Sequence, residues 1–386
     1  MTWSVYQHWD PLKVCIVGRS YPPEFYSWIK IPHVRELFEK IAIETEEDYQ
    51  NIIKKLNEFG VEVLRPDLPS VTFYNGRFVS PPMTPRDYTV MIGEQFYNSF
   101  NPYIFGHLYY NHQQPGWLAC NDPEDFARLP ANRRAICQAQ YNEYLTEAKT
   151  KDCYDKIFKH ITNQGNTVNN HFYPLLNGAM VSRIGQDLYF GTRSYAQDTS
   201  EIEKCTKTEF PNYRNHIVDT AGHSDGTYCP VCPGLIISLA DVPTYADTFP
   251  GWEVVYLPGQ SWAKVQSFLN LKQKNKGKWW IPGFEHDQSV IDVVETWLGH
   301  WTGYVEETVF DVNMLIIDPK NVIVFNYNKQ VFDALDRYGI TPHIVPFRHR
   351  YFWDGGIHCV TSDLHREGTM QDYFPERKQN IIKARE

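Results

Sequence analysis

The sequence predicts an α/β protein built from repeated hairpin–helix–strand modules set around a common centre. Three observations carry this. Short apolar runs recur in pairs separated by turn residues, over residues 175–191, 221–238 and 312–325, which is the pattern of β-hairpins. Helical periodicity leads from one strand-like run into another, over 13–66 and again over 312–346. No sequence repeat accompanies them, so what recurs is the type of unit rather than its residues.

The elements follow in order. Residues 13–18 read as a buried strand ending at Gly18. Over 34–59 the apolar residues Leu37, Phe38, Ile41, Tyr49, Ile52, Ile53 and Leu56 fall at three- and four-residue steps, the spacing of one helix face. Gly60 is placed to cap that helix, and residues 61–66 read as a strand. A proline-rich loop, 81–87, precedes an apolar strand at 88–93. Residues 98–130 are rich in Asn, Pro, Gly and aromatics and are expected to form an ordered surface excursion, too aromatic for disorder. A helical stretch is expected over 124–151. The hairpin at 175–191 turns at Ile184-Gly185-Gln186-Asp187, and the one at 312–325 turns at Asp318-Pro319-Lys320-Asn321. A helix over 329–338 ends at Gly339, and a strand over 341–346 leads to Asp354-Gly355-Gly356-Ile357-His358-Cys359-Val360-Thr361-Ser362-Asp363.

Composition narrows the function. A chain of 386 residues can bury a large core. Net charge is −9 and no Lys/Arg-rich run occurs, which argues against nucleic acid or an anionic membrane as partner. A modestly acidic protein suits a cationic substrate. No basic and apolar leader opens the chain, and no apolar run approaches the roughly 18 residues that span a bilayer. The eight cysteines are scattered, as expected of reduced thiols in a cytoplasm. Cys229-Pro230-Val231-Cys232 has CxxC spacing, but no second pair completes a zinc site, so buried thiols are expected there. Neither GxGxxG nor GxxxxGK[ST] is present, which argues against a nucleotide enzyme.

The cysteine loop near the C-terminus is the first candidate for chemistry. Its two glycines permit a tight turn and close approach to a ligand. A thiol becomes a good nucleophile as the thiolate, so Cys359 needs a positive or hydrogen-bonding neighbour. The plain alternative is a Gly-Gly turn beside a small buried cysteine. Other units place polar residues in or at the mouth of an apolar strand: Asp87, Asn177, and His223 with Asp225. Asp87 taken alone is a turn residue or a partner for Arg86, and His223 a satisfied loop histidine. In an extended strand, His223 and Asp225 would lie on the same side. Together with Cys359 these residues offer a nucleophile, a base and carboxylates for a cation.

In this combination the chain resembles the amidinotransferases of the arginine:glycine type, within the guanidino-modifying superfamily that includes arginine deiminases. The resemblance covers most of the chain. It is carried by the opening strand into Gly18, by Gly60-Val61-Glu62-Val63-Leu64-Arg65-Pro66-Asp67, by Met83-Thr84-Pro85-Arg86-Asp87, and by His223-Ser224-Asp225-Gly226-Thr227. The Cys232-Pro233-Gly234 turn and Gly355-Gly356-Ile357-His358-Cys359 complete it. The resemblance implies one pentein-like domain over 1–386, a propeller of five ββαβ modules about a pseudo-fivefold axis with the active site in its central channel. It implies that Cys359 attacks a guanidinium carbon to form an amidino-thioether, and that His223 acts first as acid and then as base. Asp87 and Asp225 would hold the guanidinium through paired charge-assisted hydrogen bonds. No metal or organic cofactor is implied, and the substrates would be a small guanidine and an amine. A homodimer also comes into view, since relatives often dimerise, although the residues do not specify the assembly.

Two departures matter. Asn177 stands where relatives carry a carboxylate that supports the histidine and contacts the guanidinium. Losing that charge points to retuned chemistry, to a stand-in carboxylate, or to a weakened enzyme. No Lys or Arg occurs between Asp225 and Lys264, where relatives using arginine carry an arginine for the substrate carboxylate. Near the region that presents small hydroxyl residues in relatives, this chain has Val305-Glu306-Glu307. These acids would repel a carboxylate and attract an amine, so a polyamine-like or decarboxylated guanidine is expected as donor or acceptor. Two alternatives stand beside amidino transfer: a hydrolase on the same scaffold, and a non-catalytic guanidine-binding protein suggested by Asn177.

Overall fold

One arrangement recurs in all five three-stranded sheets of the computed structural model: two antiparallel strands, and a third running parallel to the middle one. The described residues are 2–74, 77–99, 149–170, 176–191, 200–218, 220, 223–239, 245–257, 281, 283–284, 286–298 and 309–377. A parallel return cannot be made by a tight turn and needs a crossover. That requirement explains why each hairpin is followed by a helix before its third strand.

The first module holds β1 (Leu12–Val17), α1 (Pro32–Glu58) and β2 (Glu62–Leu64). A small hairpin, β3 (Phe73–Tyr74) and β4 (Arg77–Phe78), follows it. The second holds β5 (Thr89–Ile92), β6 (Gln95–Asn98), α2 (Asp155–Asn163) and β7 (Thr167–Asn170). The third holds β8 (Val181–Ile184), β9 (Asp187–Gly191), α3 (Ser200–Glu209) and β10 (Arg214–Val218). The fourth holds β11 (Tyr228–Cys232), β12 (Leu235–Ser238), the single turn α4 (Tyr245–Thr248) and β13 (Glu253–Tyr256). The fifth holds β14 (Leu315–Asp318), β15 (Asn321–Val324), α5 (Lys329–Arg337) and β16 (Thr341–Ile344). The last strand, β17 (Thr361–Arg366), returns antiparallel to β1 and completes the first sheet in the order β17–β1–β2. The C-terminal strand thereby closes the set.

Burial shows which strands face inward. β5, β8 and β11 are buried end to end, and β14 and β17 all but one residue each. The third strands β2, β13 and β16 carry no fully buried residue. The middle strands β9 and β12 are buried end to end as well, so burial marks β2, β13 and β16 as outer strands, and the inner strands β5, β8, β11, β14 and β17 lie at the opposite edges of their sheets. α1 buries Leu37, Phe38, Ile41, Tyr49, Ile52 and Leu56 as its periodicity predicts. Its end is a Schellman cap: Gly60 adopts φ +74, its N–H donates to Asn57, and Val61 N–H donates to Leu56.

Three expectations changed or moved out of view. The strand expected over 88–93 is a hairpin, β5–β6, turning at Gly93, whose φ is +55. Gln95-Phe96-Tyr97-Asn98 lacks the aliphatic run that marked the other strands, so it did not register. The excursion expected from 98 starts later, since Asn98 ends β6; residues 100–130, and the helical stretch at 124–151 up to residue 148, lie outside the described residues. The CxxC pair forms part of β11 with both thiols free and buried, and burial pushes them up to about 12 and about 11. No helix among the described residues is long and apolar enough to cross a membrane.

A charged cluster ties three modules together. Asp363 on β17 receives Arg183 of β8 at 2.9 and 3.0 Å and Arg366 Nε at 2.7 Å. Arg86, from the turn before β5, forms an ion pair with it at 3.0 Å. All four are at most 2% exposed. Burial opposes the Asp363 charge, but the three guanidiniums hold its carboxyl well below the usual range. Removing one partner of a buried ionic cluster strands the others uncompensated. Asp363→Asn is therefore expected to cost about 3–5 kcal/mol, read as a lowered urea midpoint. Because the folded-state value is depressed, the contribution is whole above the ordinary carboxylate range, about pH 4, and is lost as pH falls through the folded value. A variant as stable as wild type at pH 7 would remove Asp363 from this role.

Candidate active site

Each inner strand is entered through a turn that presents one polar side chain. Asp87 ends the 3-10 turn Pro85–Asp87 before β5, and Asn177 opens the turn before β8. Asp225 lies in the 3-10 turn Ser224–Gly226 before β11, Asn313 follows the helical turn Val309–Val312 before β14, and Cys359 precedes β17. These turns are linked in a ring. Gly178 N–H donates to Arg86 O at 3.0 Å, and Asp225 N–H donates to Ala179 O at 3.2 Å. Asn313 Nδ2 donates to Asp225 O at 3.2 Å, His358 N–H donates to Asn313 Oδ1 at 2.8 Å, and Arg86 N–H donates to Cys359 O at 3.4 Å. The ring packs closely: a Cβ on Gly178 would lie 2.8 Å from Arg86 Cγ, and one on Gly356 only 2.1 Å from Asn313 Oδ1.

Cys359 sits in this ring, 8% exposed. Its Sγ is 3.5 Å from Asp225 Oδ2 and 3.1 Å from Asn313 Nδ2. Burial pushes the thiol well up, and the Asp225 and Asp87 carboxylates push it further, against contacts from Gly356 and Asn313. Asp225 Oδ2 also receives His358 Nδ1 at 2.8 Å. Burial opposes the Asp225 charge, but that hydrogen bond, with His223 and Arg86 nearby, holds its carboxyl below the usual range. Burial and then Arg86 push His358 down to about 4, so at neutral pH it is a neutral imidazole donating through Nδ1. Asp225 Oδ1 and Asp87 Oδ1 are buried and without a hydrogen-bond donor.

The predicted residues come together, though not all as expected. His223 is not on a strand with Asp225, because residues 224–226 form a 3-10 turn. Two-residue alternation therefore does not apply: Asp225 turns inward to His358, while His223, with a side chain 45% exposed, faces Asp87 at 3.7 Å. Burial pushes the Asp87 carboxyl up, and the His223 charge opposes it. Asn177 is buried, and its Oδ1 accepts the N–H groups of Ala179 and Met180 at 3.1 Å each. An amide caps this turn as a carboxylate would, without the charge. Glu306 and Glu307 lie outside the described residues.

Two contributors were not singled out from sequence. Asn313 occupies the strand-mouth position that marked Asp87 and Asn177, but it was absorbed into the apolar hairpin that follows. His358 was seen only as part of the cysteine motif. Among the described residues no group of three His, Cys, Asp or Glu is placed to hold a metal ion.

The architecture defines a class: a five-module α/β propeller with a ring of polar residues and one cysteine at the inner strand mouths. Two solved amidinotransferases share the fold. SxtG from Microseira wollei, of the saxitoxin biosynthetic pathway, superposes with a TM-score of 0.61 at 18% identity, covering 97% of this chain and 100% of that one. The inosamine-phosphate amidinotransferase StrB1 of Streptomyces griseus gives 0.60 at 17% identity, over 96% and 99%. In sequence the chain is 24% identical over 404 residues to the mitochondrial glycine amidinotransferase of Xenopus laevis, covering 96% of this chain and 84% of that relative. No family model matches the chain. The chain is thus similar over nearly its whole length to amidinotransferases, in sequence and in fold.

The anionic surroundings of Cys359 give a signed prediction. Asp87→Asn removes a negative neighbour, so the thiol should ionise at lower pH. Alkylation of Cys359 by iodoacetamide, followed on its own peptide by mass spectrometry, should speed up about tenfold at a fixed pH below the thiol's range. An unchanged or slower rate would mean that Asp87 does not act on the sulfur.

Proposed function

We propose that this protein transfers an amidino group from a small guanidine to an amine through a covalent adduct on Cys359. The observation that carries this reading is the setting of the thiol. It is buried beside two carboxylates, each with an oxygen lacking a donor, and they disfavour its ionisation. A buried carboxylate oxygen calls for a hydrogen-bond partner. A planar guanidinium offers N–H groups along its edges and an electrophilic carbon at its centre. Seated between Asp87 and Asp225 it would satisfy both oxygens, put its carbon against Sγ, and favour the thiolate by its own charge.

The steps then balance. The thiolate forms a C–S bond to the guanidinium carbon, a C–N bond breaks, and the departing amine takes a proton from His223. The acceptor amine next gives a proton to His223 and attacks the same carbon, and the C–S bond breaks to return the thiolate. Asp87 lies 3.7 Å from Nδ1 of His223, the ring that carries the proton in both steps. Asn177 brings no charge to this balance. The work of holding the cation falls on Asp87 and Asp225, which fits a donor different from the usual arginine.

Intact-protein mass spectrometry after acid quench tests the reading, with arginine, agmatine and related guanidines supplied singly. A gain of one amidino group, absent in Cys359→Ala, is the expected result. Discharge of the adduct by an amine identifies transfer, and discharge by water alone identifies hydrolysis. Binding of a guanidine with neither adduct nor product would leave a binding protein. Glu306→Gln should shift preference away from amine-bearing substrates if the acids at 306 and 307 attract an amine. An unchanged preference in competition assays would remove them from substrate choice.

A further inference from the structure

We propose that Asn313 is a catalytic residue for this chemistry, with its carboxamide holding the Cys359 sulfur as a hydrogen-bond donor while its carbonyl fixes the loop that carries it. This rests on the reading of Cys359 as the nucleophile. The carboxamide is 1% exposed and engaged at both ends. Its Oδ1 accepts His358 N–H at 2.8 Å and Cys359 N–H at 3.3 Å, so two successive amides of the cysteine loop are gathered on one oxygen. Its Nδ2 lies 3.1 Å from Cys359 Sγ and 3.2 Å from Asp225 O. A carboxamide has two N–H donors, enough for the sulfur and the carbonyl together.

Two further observations support this. Gly356 leaves the space the carboxamide fills, since a Cβ there would collide with Asn313 Oδ1, Cγ and Cβ. That accounts for the second glycine of the cysteine motif, whose φ is not positive and so does not itself require glycine. The Gly356 backbone also favours the thiolate, but the other side chains acting on the sulfur give it little help. Asp225 and Asp87 oppose the thiolate, His358 is neutral, and His223 is directed at Asp87. Arg86 lies behind the loop, with its Nε on the carbonyls of His358 and Thr361. Among the described residues, Asn313 is the side chain in hydrogen-bonding reach of Sγ that donates and carries no negative charge. In the proposed cycle the sulfur is anionic before attack and again after the adduct discharges. A fixed neutral donor at 3.1 Å favours both states without repelling a cationic substrate, as Lys or Arg there would.

Asn313→Asp separates the two halves of the role. The carboxylate keeps an acceptor for the amides of His358 and Cys359 but replaces the sulfur's donor with an anion. Cys359 alkylation by iodoacetamide, read on the Cys359 peptide across pH, is expected to slow at least tenfold near neutrality, with its midpoint moved upward. Asn313→Ala, which adds no charge, is expected to slow it severalfold and provides the reading if the Asp variant fails to fold. Alkylation at the wild-type rate and midpoint in a folded variant would overturn the donor role, even if turnover fell. Alkylation does not depend on knowing the substrate. If Cys359→Ala still transferred amidino groups, the nucleophile reading would fail separately, whatever the Asn313 variants did.

Discussion

The closed ring of hydrogen bonds among five turns is the constraint on which the site depends. It runs from Arg86 to Gly178, from Ala179 to Asp225, from Asp225 to Asn313, from Asn313 to the amides of His358 and Cys359, and from Cys359 back to Arg86. Each turn is tied to the next module's turn rather than only to its own sheet. A reactive group fixed by its neighbours on both sides is held to tighter tolerance than one on a free loop. Next to this ring, Asp363 gathers Arg86, Arg183 and Arg366 from three modules. A buried ionic cluster is weak support for net stability, because desolvation consumes much of the attraction. What it does here is geometric: the three guanidiniums converge on one carboxylate, and Arg86 also holds the carbonyls of His358 and Thr361.

The charges on either side of the cysteine loop are opposite in sign. Behind it lie three guanidiniums and one carboxylate; in front lie Asp87 and Asp225. The separation gives each carboxylate a different character. Asp225 shares its Oδ2 with neutral His358 and keeps its charge easily, whereas Asp87 is pushed up by burial with His223 as its counterweight. Two acids at one site with values moved in opposite directions suit two tasks. In the proposed cycle Asp225 would anchor the cation beside the sulfur, and Asp87 would hold its other edge while facing His223.

Much of this was legible in the sequence. The hairpin–helix–strand order, α1 with its capping glycine, and the polar residues at strand mouths all follow from period and local turn chemistry. What was hidden has two causes. Contacts such as Arg86 with Asp363 and Asn313 with Cys359 join residues far apart in the chain, and no local pattern encodes them. Local geometry also changed partners: a 3-10 turn at 224–226 broke the alternation that would have paired His223 with Asp225. Asn313 shows a third case. It carries the signal of a polar residue opening an apolar strand, but it reads as part of the apolar hairpin over 312–325.

Asn177 and Asn313 show how far residue type and role come apart on this scaffold. Both are buried asparagines at the mouth of an inner strand. The Oδ1 of Asn177 caps its own turn, on Ala179 and Met180, two and three residues ahead. The Oδ1 of Asn313 crosses to the next turn of the ring and gathers the amides of His358 and Cys359. The difference lies in what each turn leaves unsatisfied. The turn after Asn177 brings the Ala179 N–H within reach of its side chain, along with the Met180 N–H, which is shared with the Asn177 carbonyl. Before Asn313 the chain is already helical over Val309–Val312, and Met314 N–H is taken by Val312 O, so the carboxamide is free to reach its neighbour. Equivalent positions can thus supply a carboxylate, a cap, a tether or a thiol while the strands behind them keep one pairing order. Chemistry on this fold can therefore be retuned one module at a time, because the turn, rather than the sheet, decides where each side chain points.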